Sequence, residues 1–215
     1  MNKNMTRIIQ LENVIFNDTI TYPNIGIVQG KTTFITGESG TGKSTLLKLL
    51  NGVITPTSGS IAYKGNELAS YDTILLRRQV LLVSQSAVLF DEQSIRENFA
   101  TFFDYRECSS LSEAQMIDFL TICSIDMPLD KKVYHLSGGE KQRVFVAIHL
   151  ALDFDVLMLD EPTSALDASN GRALLTNVKA YCQEKEKTLL VVSHDKEIVE
   201  TFADHIIMLG GQTNG

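Results

Sequence analysis

Gly37-Glu38-Ser39-Gly40-Thr41-Gly42-Lys43-Ser44-Thr45 follows the apolar, β-branched run Thr32 to Thr36 and leads straight into Lys43 to Leu50, a segment of helical spacing. The stretch matches G-x-x-x-x-G-K-[ST] in the strand–loop–helix setting that gives the pattern its meaning. Glycines let the backbone curl until successive N–H groups point inward, and the helix that follows adds its positive end, so a polyphosphate meets a preformed nest. In such a nest the Lys43 ammonium reaches the β- and γ-phosphates and the Ser44 hydroxyl reaches Mg²⁺. A Gly-rich turn capping a helix is the plain alternative, and the four fixed positions arise by chance in only about 1% of chains this long.

Around this loop the pattern is α/β. Arg7 to Phe16, Ile61 to Tyr63 and Val80 to Ser84 read as strands. Val156 to Leu159 and Leu189 to Val192 are continuous apolar runs, as expected of central parallel strands buried on both faces. Asn170 to Glu184 and Lys196 to Phe202 carry the mixed spacing of helices that cover a sheet. Between about 91 and 133, Ser94 to Phe99 and Ser112 to Ile122 read as helices with no strand between them, a helical lobe inserted into the α/β core.

The run Val156 to Leu159 ends in Asp160-Glu161-Pro162, which lifts two carboxylates to the strand end where open α/β sheets bind ligands. Asp160 is placed to hold the Mg²⁺ shell, and Glu161 to orient and deprotonate an attacking water. Standing alone, the pair reads equally well as a solvated strand end. Leu136-Ser137-Gly138-Gly139-Glu140 precedes a helical run, so a second set of backbone N–H groups opens at a helix start; a plain Ser N-cap is the competing reading.

Composition narrows the function classes. The 215 residues suit one domain or two tightly joined lobes. Lys and Arg number 19 against 26 for Asp and Glu, a net charge of −7 that argues against a broad grip on nucleic acid or an anionic bilayer. Cys108, Cys123 and Cys182 form neither C-x-x-C nor a Cys/His cluster, so they read as thiols in a reducing compartment. The segment Met1 to Gln10 lacks a signal-peptide core, and the longest apolar stretch, Val144 to Leu152, is short and interrupted by His149. The expectation is a chain that does not span a membrane by itself.

Taken in order, Gly37 to Thr45, Gln85, Leu136 to Glu140, Val156 to Glu161, Ser164-Ala165-Leu166-Asp167 and His194 resemble the nucleotide-binding domain of ATP-binding cassette (ABC) proteins over nearly the whole chain. Leu-Ser-Gly-Gly separates that family from other P-loop ATPases. The resemblance implies an α/β fold: a P-loop NTPase core with a mixed, mostly parallel sheet, an N-terminal antiparallel β subdomain and the inserted helical subdomain, in one domain over 1–215. It implies a Mg-dependent ATPase that works as a head-to-tail homodimer or paired cassette. Ser137, Gly138 and Gly139 of one subunit would close on the γ-phosphate held by Lys43 of the other, with Asp167 at the seam. Gln85 would sense Mg²⁺ and water, and His194 would touch the γ-phosphate and hold Glu161. Without the family, Gln85 is a polar residue after a strand, His194 a satisfied histidine or helix cap, and Asp167 a helix-start residue.

The same resemblance implies partners and place. The leading expectation is the ATPase subunit of a transporter, peripheral on the inner, cytoplasmic face of the cell membrane, docked on separately encoded transmembrane permease subunits and not on nucleic acid. A soluble ATPase of an iron–sulfur assembly complex is the alternative. Leu89-Phe90-Asp91 and Leu166 to Asn170 are similar to small bacterial subunits assigned to iron export; cargo and direction belong to the membrane subunits. Departures from the pattern are few. The adenine-stacking position falls on Asp18, leaving Phe16, Tyr22 or no ring at all for that task. Glu140 replaces a common Gln, and His149 a frequent Arg. The chain ends soon after Ile206 to Leu209, with no room for a regulatory C-terminal domain.

Overall fold

The computed structural model describes residues 6–210, which fall into two compact units. The second unit is Val83–Asp153 with Pro162–Tyr181, and the first holds the remaining described residues.

The first unit contains two sheets. Strands β1 (Arg7–Phe16), β2 (Ile20–Thr21), β3 (Ile25–Val28), β5 (Ser58–Tyr63) and β6 (Asn66–Glu67) make an antiparallel sheet in which β1 pairs with β2, β3 and β5. Strands β4 (Thr32–Gly37), β7 (Val80–Val83), β8 (Val156–Asp160), β9 (Thr188–Val192) and β10 (His205–Leu209) form the other sheet, in the order β10-β4-β9-β8-β7. The pairs β10–β4, β4–β9 and β9–β8 are parallel. Every residue of β9 is buried, which is why that strand is a continuous apolar run without alternation.

Helix α1 (Lys43–Leu50) buries Leu46, Leu47, Leu49 and Leu50, the i, i+1, i+3, i+4 set that makes one apolar stripe. These leucines join Ile9, Leu11 and Ile61 of the antiparallel sheet and Ile35, Met158 and Val192 of the other in one core. Burial of each such side chain contributes about 1.5–3 kcal/mol, so the helix that follows the phosphate loop is anchored from both sheets. At the opposite end of β8, the Tyr63 hydroxyl donates to the Asp155 carboxylate and Lys64 Nζ lies 2.6 Å from it. Burial pushes that carboxyl up, and the bonds from Lys64 and Tyr63 overcome this and hold it below the usual range. The first unit also has α2 (Thr73–Gln79), capped by Asp72, and α7 (Lys196–Phe202), capped by Asp195.

Helices α3 (Ile95–Tyr105), α4 (Glu113–Ile122) and α5 (Gly138–Leu150) belong to the second unit, as does most of α6 (Ala168–Glu184). Helices α3, α4 and α5 each begin with a capping box, Ser94 with Glu97, Ser112 with Gln115 and Ser137 with Glu140. In each box the serine oxygen accepts from the third helical N–H, and the Glu or Gln returns the bond to the serine N–H. His149 is buried in α5; its Nδ1 donates to the Phe145 carbonyl and its ring packs edge-on against Phe102 and Phe145. Burial pushes its pKa down to about 4, so the ring is neutral.

The elements named from sequence are present, with extensions and additions. Helix α3 continues past Phe99 to Tyr105, because Ile95, Phe99 and Phe103 recur at four-residue spacing on its buried face. Strand β5 begins at Ser58, where pairing with Ile15 holds polar residues that lack a strand signature. The short strands β2, β3 and β6 and helix α2 were not expected from sequence. The first three exist through pairing to β1 or β5, and α2 follows an Asp72 cap. No helix among the described residues is long and apolar enough to cross a membrane. Cys123 and Cys182 are buried and Cys108 is exposed.

Candidate functional site

The parallel register brings three loops to one edge of the first unit. Strand β9 lies between β4 and β8, with Ile35 opposite Val192 and Val192 opposite Asp160. Gly37 at the end of β4, His194 after β9 and Glu161 after β8 therefore share the carboxyl edge, within about two strand spacings, or about 10 Å. This is the edge where open parallel sheets bind their ligands.

The phosphate loop is shaped by backbone conformations that side chains rarely adopt. Gly42, the N-cap of α1, has φ +88° and no side-chain cap, so the helix's first N–H groups, those of Lys43, Ser44 and Thr45, have no partner within the helix. A Cβ on Gly37 would stand 2.5 Å from the Leu209 carbonyl, so the end of β10 can abut the loop only if that residue is glycine. Lys43 Nζ donates to the Gly37 and Glu38 carbonyls at 2.9 and 2.8 Å. Its ammonium is thus held over the loop mouth by two carbonyls. Thr41 Oγ1 donates to the Glu38 carbonyl and keeps the turn closed; Ser39 and Gly40 form its exposed crest.

At the end of β8, Asp160 Oδ1 is a buried oxygen with no hydrogen-bond partner. Glu161 has φ +47°, a left-handed conformation that costs a non-glycine residue on the order of 1–2 kcal/mol. The strain is held by the Glu161 N–H bond to Val192 O and by His194 Nδ1, 3.0 Å from Glu161 Oε2. The Glu161 side chain is 13% exposed and that of His194 is 73% exposed, so the histidine covers the carboxylate from the solvent side.

The other sequence-predicted residues lie in the second unit. Gln85 is exposed in the turn after β7, beside Ser84, whose carbonyl accepts from Gln142 Nε2. Ser137 caps α5, with Glu140 Oε2 accepting from the Ser137 N–H at 2.7 Å and Ser137 Oγ accepting from the Glu140 N–H at 3.3 Å. Hydrogen bonding to the carboxylate from the Ser137 backbone N–H, and then from the Ser137 side chain, holds the Glu140 carboxyl below its usual value. A Cβ on Gly138 would meet nothing within 4 Å, whereas one on Gly139 would stand 2.9 Å from the Ala165 carbonyl oxygen. The Leu-Ser-Gly-Gly turn and the Ser164–Asp167 segment therefore pack directly together. Asp167 caps α6 through Asn170, whose N–H donates to it at 2.9 Å, and that bond lowers the carboxyl's pKa.

Neither ring weighed from sequence lies free beside the loop. Tyr22 is 2% exposed and its hydroxyl donates to the Gly42 carbonyl, while Phe16 packs on the core. Asp18 is exposed at φ +54°. The contact from Tyr22 to the loop was missed in the sequence, because nothing in residue order signals that a residue 20 positions away lies beneath Gly42.

A family model described as ABC transporter matches residues 21–164. A probable iron export ATP-binding protein, FetA, of Escherichia coli (strain K12) is 36% identical over 187 residues, covering 86% of this chain and 82% of that one. A solved dimer of the ATP-binding cassette MJ0796 in a post-hydrolysis state with ADP and Pi superposes with a TM-score of 0.82 at 27% identity, covering 94% of each chain. CbiO1 of Clostridium perfringens, part of the transporter complex cbiONQ, also has a TM-score of 0.82 at 27% identity and covers 94% of this chain and 84% of its own. The chain belongs to the ABC transporter family, and its fold is that of the family's ATP-binding, ATP-hydrolysing cassette.

Proposed function

We propose that this cassette powers transport through separate membrane subunits on the cytoplasmic face of a membrane, by closing as a head-to-tail pair on two Mg-ATP. The observation that carries the reading is the convergence of the phosphate loop, Asp160 and the Glu161–His194 pair on one sheet edge. The loop N–H groups and Lys43 bind the β- and γ-phosphates, and Lys43 exchanges its two carbonyl partners for phosphate oxygens as it does so. Ser44 and the unpartnered Asp160 oxygen are hard donors that fit Mg²⁺, which when bound would neutralise charge on the β- and γ-phosphates. Glu161 takes one proton from a water. That water's oxygen bonds the γ-phosphorus as the bond to the β–γ bridging oxygen breaks, leaving ADP and inorganic phosphate. His194 holds the Glu161 carboxylate and donates to the γ-phosphate.

Ser137, Gly138 and Gly139 of the opposing cassette complete the site, with Asp167 at the seam, and Gln85 relays nucleotide state to the permease. The cleft lined by Thr19–Pro23, Gly40, Thr41 and Met208–Gly210 receives the rest of the nucleotide. The similarity to FetA makes iron the first cargo to test. The test is to reconstitute the cassette in liposomes with the multi-span protein encoded beside it. ATP turnover that rises with that partner and moves iron supports the reading; a neighbour that is a soluble scaffold, or turnover indifferent to the membrane protein, contradicts it.

A further inference from the structure

Tyr22 enters the first unit just after β2, where its N–H donates to the Val14 carbonyl and its ring lies in the core. Its hydroxyl reaches out of that core to the Gly42 carbonyl at 3.0 Å. The same carbonyl accepts from the Leu46 N–H at 2.8 Å, the first bond of α1. Two donors therefore fix one carbonyl oxygen, and that oxygen belongs to the peptide whose nitrogen is that of Lys43.

A trans peptide is planar, with its N–H pointing opposite to its C=O. Pinning the Gly42 carbonyl down toward the core and helix therefore aims the Lys43 N–H up into the loop. Donation to the carbonyl also polarises the whole amide and makes its N–H a stronger donor. The fit beneath Gly42 is tight: a Cβ there would stand 2.7 Å from the Tyr22 oxygen and 3.1 Å from the Ile20 side chain. Burial pushes the phenol pKa up to about 12, so the hydroxyl keeps its proton and stays a donor across the working pH range.

We propose that Tyr22 is a positioning residue for phosphate binding, acting through the Gly42–Lys43 peptide, and that the ring weighed as an adenine platform serves the opposite end of the nucleotide. The inference rests on the phosphate-nest reading. Since the Lys43 N–H serves the part of the nest common to di- and triphosphates, Tyr22 assists both.

Tyr22→Phe keeps the ring and removes only the donor. The expected result is an affinity for both ATP and ADP about three- to tenfold weaker, the scale of one lost neutral hydrogen bond, with KM for ATP raised to match and kcat unchanged. In nucleotide-free protein the Lys43 amide proton resonance should shift upfield, a change that mere loosening of the core would not confine to that residue. ATP and ADP affinities within twofold of wild type in a folded variant would overturn the proposal, as would a fall in kcat at unchanged KM. In case the variant fails to fold, the wild-type protein supplies a second test. The Tyr22 hydroxyl proton should exchange slowly and give a nuclear Overhauser contact to the Leu46 amide, since both donate to one oxygen; a fast-exchanging hydroxyl with no such contact rejects the geometry. Lys43→Ala separates the two claims. If it still binds ATP tightly, the nest reading itself fails; if it loses ATP while Tyr22→Phe binds normally, only the role of Tyr22 fails.

Discussion

Helices α1 and α5 both start at glycine-rich turns, and they solve the problem of a bare helix end in opposite ways. At α1 the cap is a left-handed glycine with no side-chain bond, so the backbone N–H groups stay available and support comes from outside, from the Tyr22 hydroxyl. At α5 the cap is Ser137, whose oxygen accepts from the Glu140 N–H while Glu140 closes over the Ser137 N–H. The box satisfies the Ser137 and Glu140 N–H groups and leaves those of Gly138 and Gly139 without a partner inside the helix. One turn keeps its backbone open and leans on a distant side chain; the other is partly closed by its own first turn.

The contrast predicts unequal losses. Lys43→Ala should abolish tight Mg-ATP binding, since it removes the fixed cation over the nest; calorimetry that finds unchanged affinity would remove α1 from its leading role. Glu161→Gln should leave nucleotide binding intact and slow hydrolysis by at least about 100-fold, the scale of a lost general base. It should also accumulate an ATP-bound dimer on a sizing column. Normal turnover, or a species that stays monomeric with ATP, would reassign the base.

Mixing lesions tests whether the two helix ends serve one site. A Cβ at Gly138 meets nothing within 4 Å, so Asp is placed there, whereas a side chain at Gly139 would press on the Ala165 carbonyl. Lys43→Ala and Gly138→Asp should each be inactive alone. Random pairing makes about half the dimers mixed, with one intact site in two, so about a quarter of wild-type activity should return on mixing if the sites fire independently. No recovery with mixed dimers demonstrably formed would mean that the site is not shared or that both sites must fire together. A tandem fusion with both lesions in one half should then stay inactive if the site is shared and keep activity if each subunit works alone.

The smallest effect concerns the box itself. Glu140→Gln can still reach back to the Ser137 N–H and should hold stability, whereas Glu140→Ala should lower it by about 1 kcal/mol, on the scale of a lost cap. The Glu140 carboxyl is depressed in the folded protein, so its contribution is present above the ordinary carboxylate pKa and is lost as pH falls through the lower folded value. Thermal unfolding midpoints from pH 7 to pH 3 should fall further in wild type than in Glu140→Gln, which keeps the acid loss from Asp155 and Asp167 but not that from Glu140.

Much of this arrangement could be read from residue order because it is local. The span of α1, the ends of β1 and the carboxylates after β8 follow from apolar periodicity and from glycines at fixed spacing. Strand β2 and the buried hydroxyl of Tyr22 could not be read so, because two residues of strand and one hydrogen bond 20 positions away are set by tertiary contact. Ser137 was legible as a cap, and the box with Glu140 shows that reading; its phosphate contact belongs to the proposal. Whether Phe16, Tyr22 or no ring serves as a base platform stayed open in the sequence for a physical reason. An aromatic near a ligand site is also a good core residue, and only burial separates the two uses.

The distribution of sulfur has a practical consequence. Burial pushes the Cys123 thiol up and that of Cys182 to about 12, while Cys108 is exposed. A maleimide dye added to the native protein should therefore label a single position, and denaturation should expose two further thiols. The wild-type chain thus carries its own attachment point for a fluorophore in the second unit, and nucleotide-driven closure can be followed by energy transfer between the two Cys108 dyes of a pair without altering a residue.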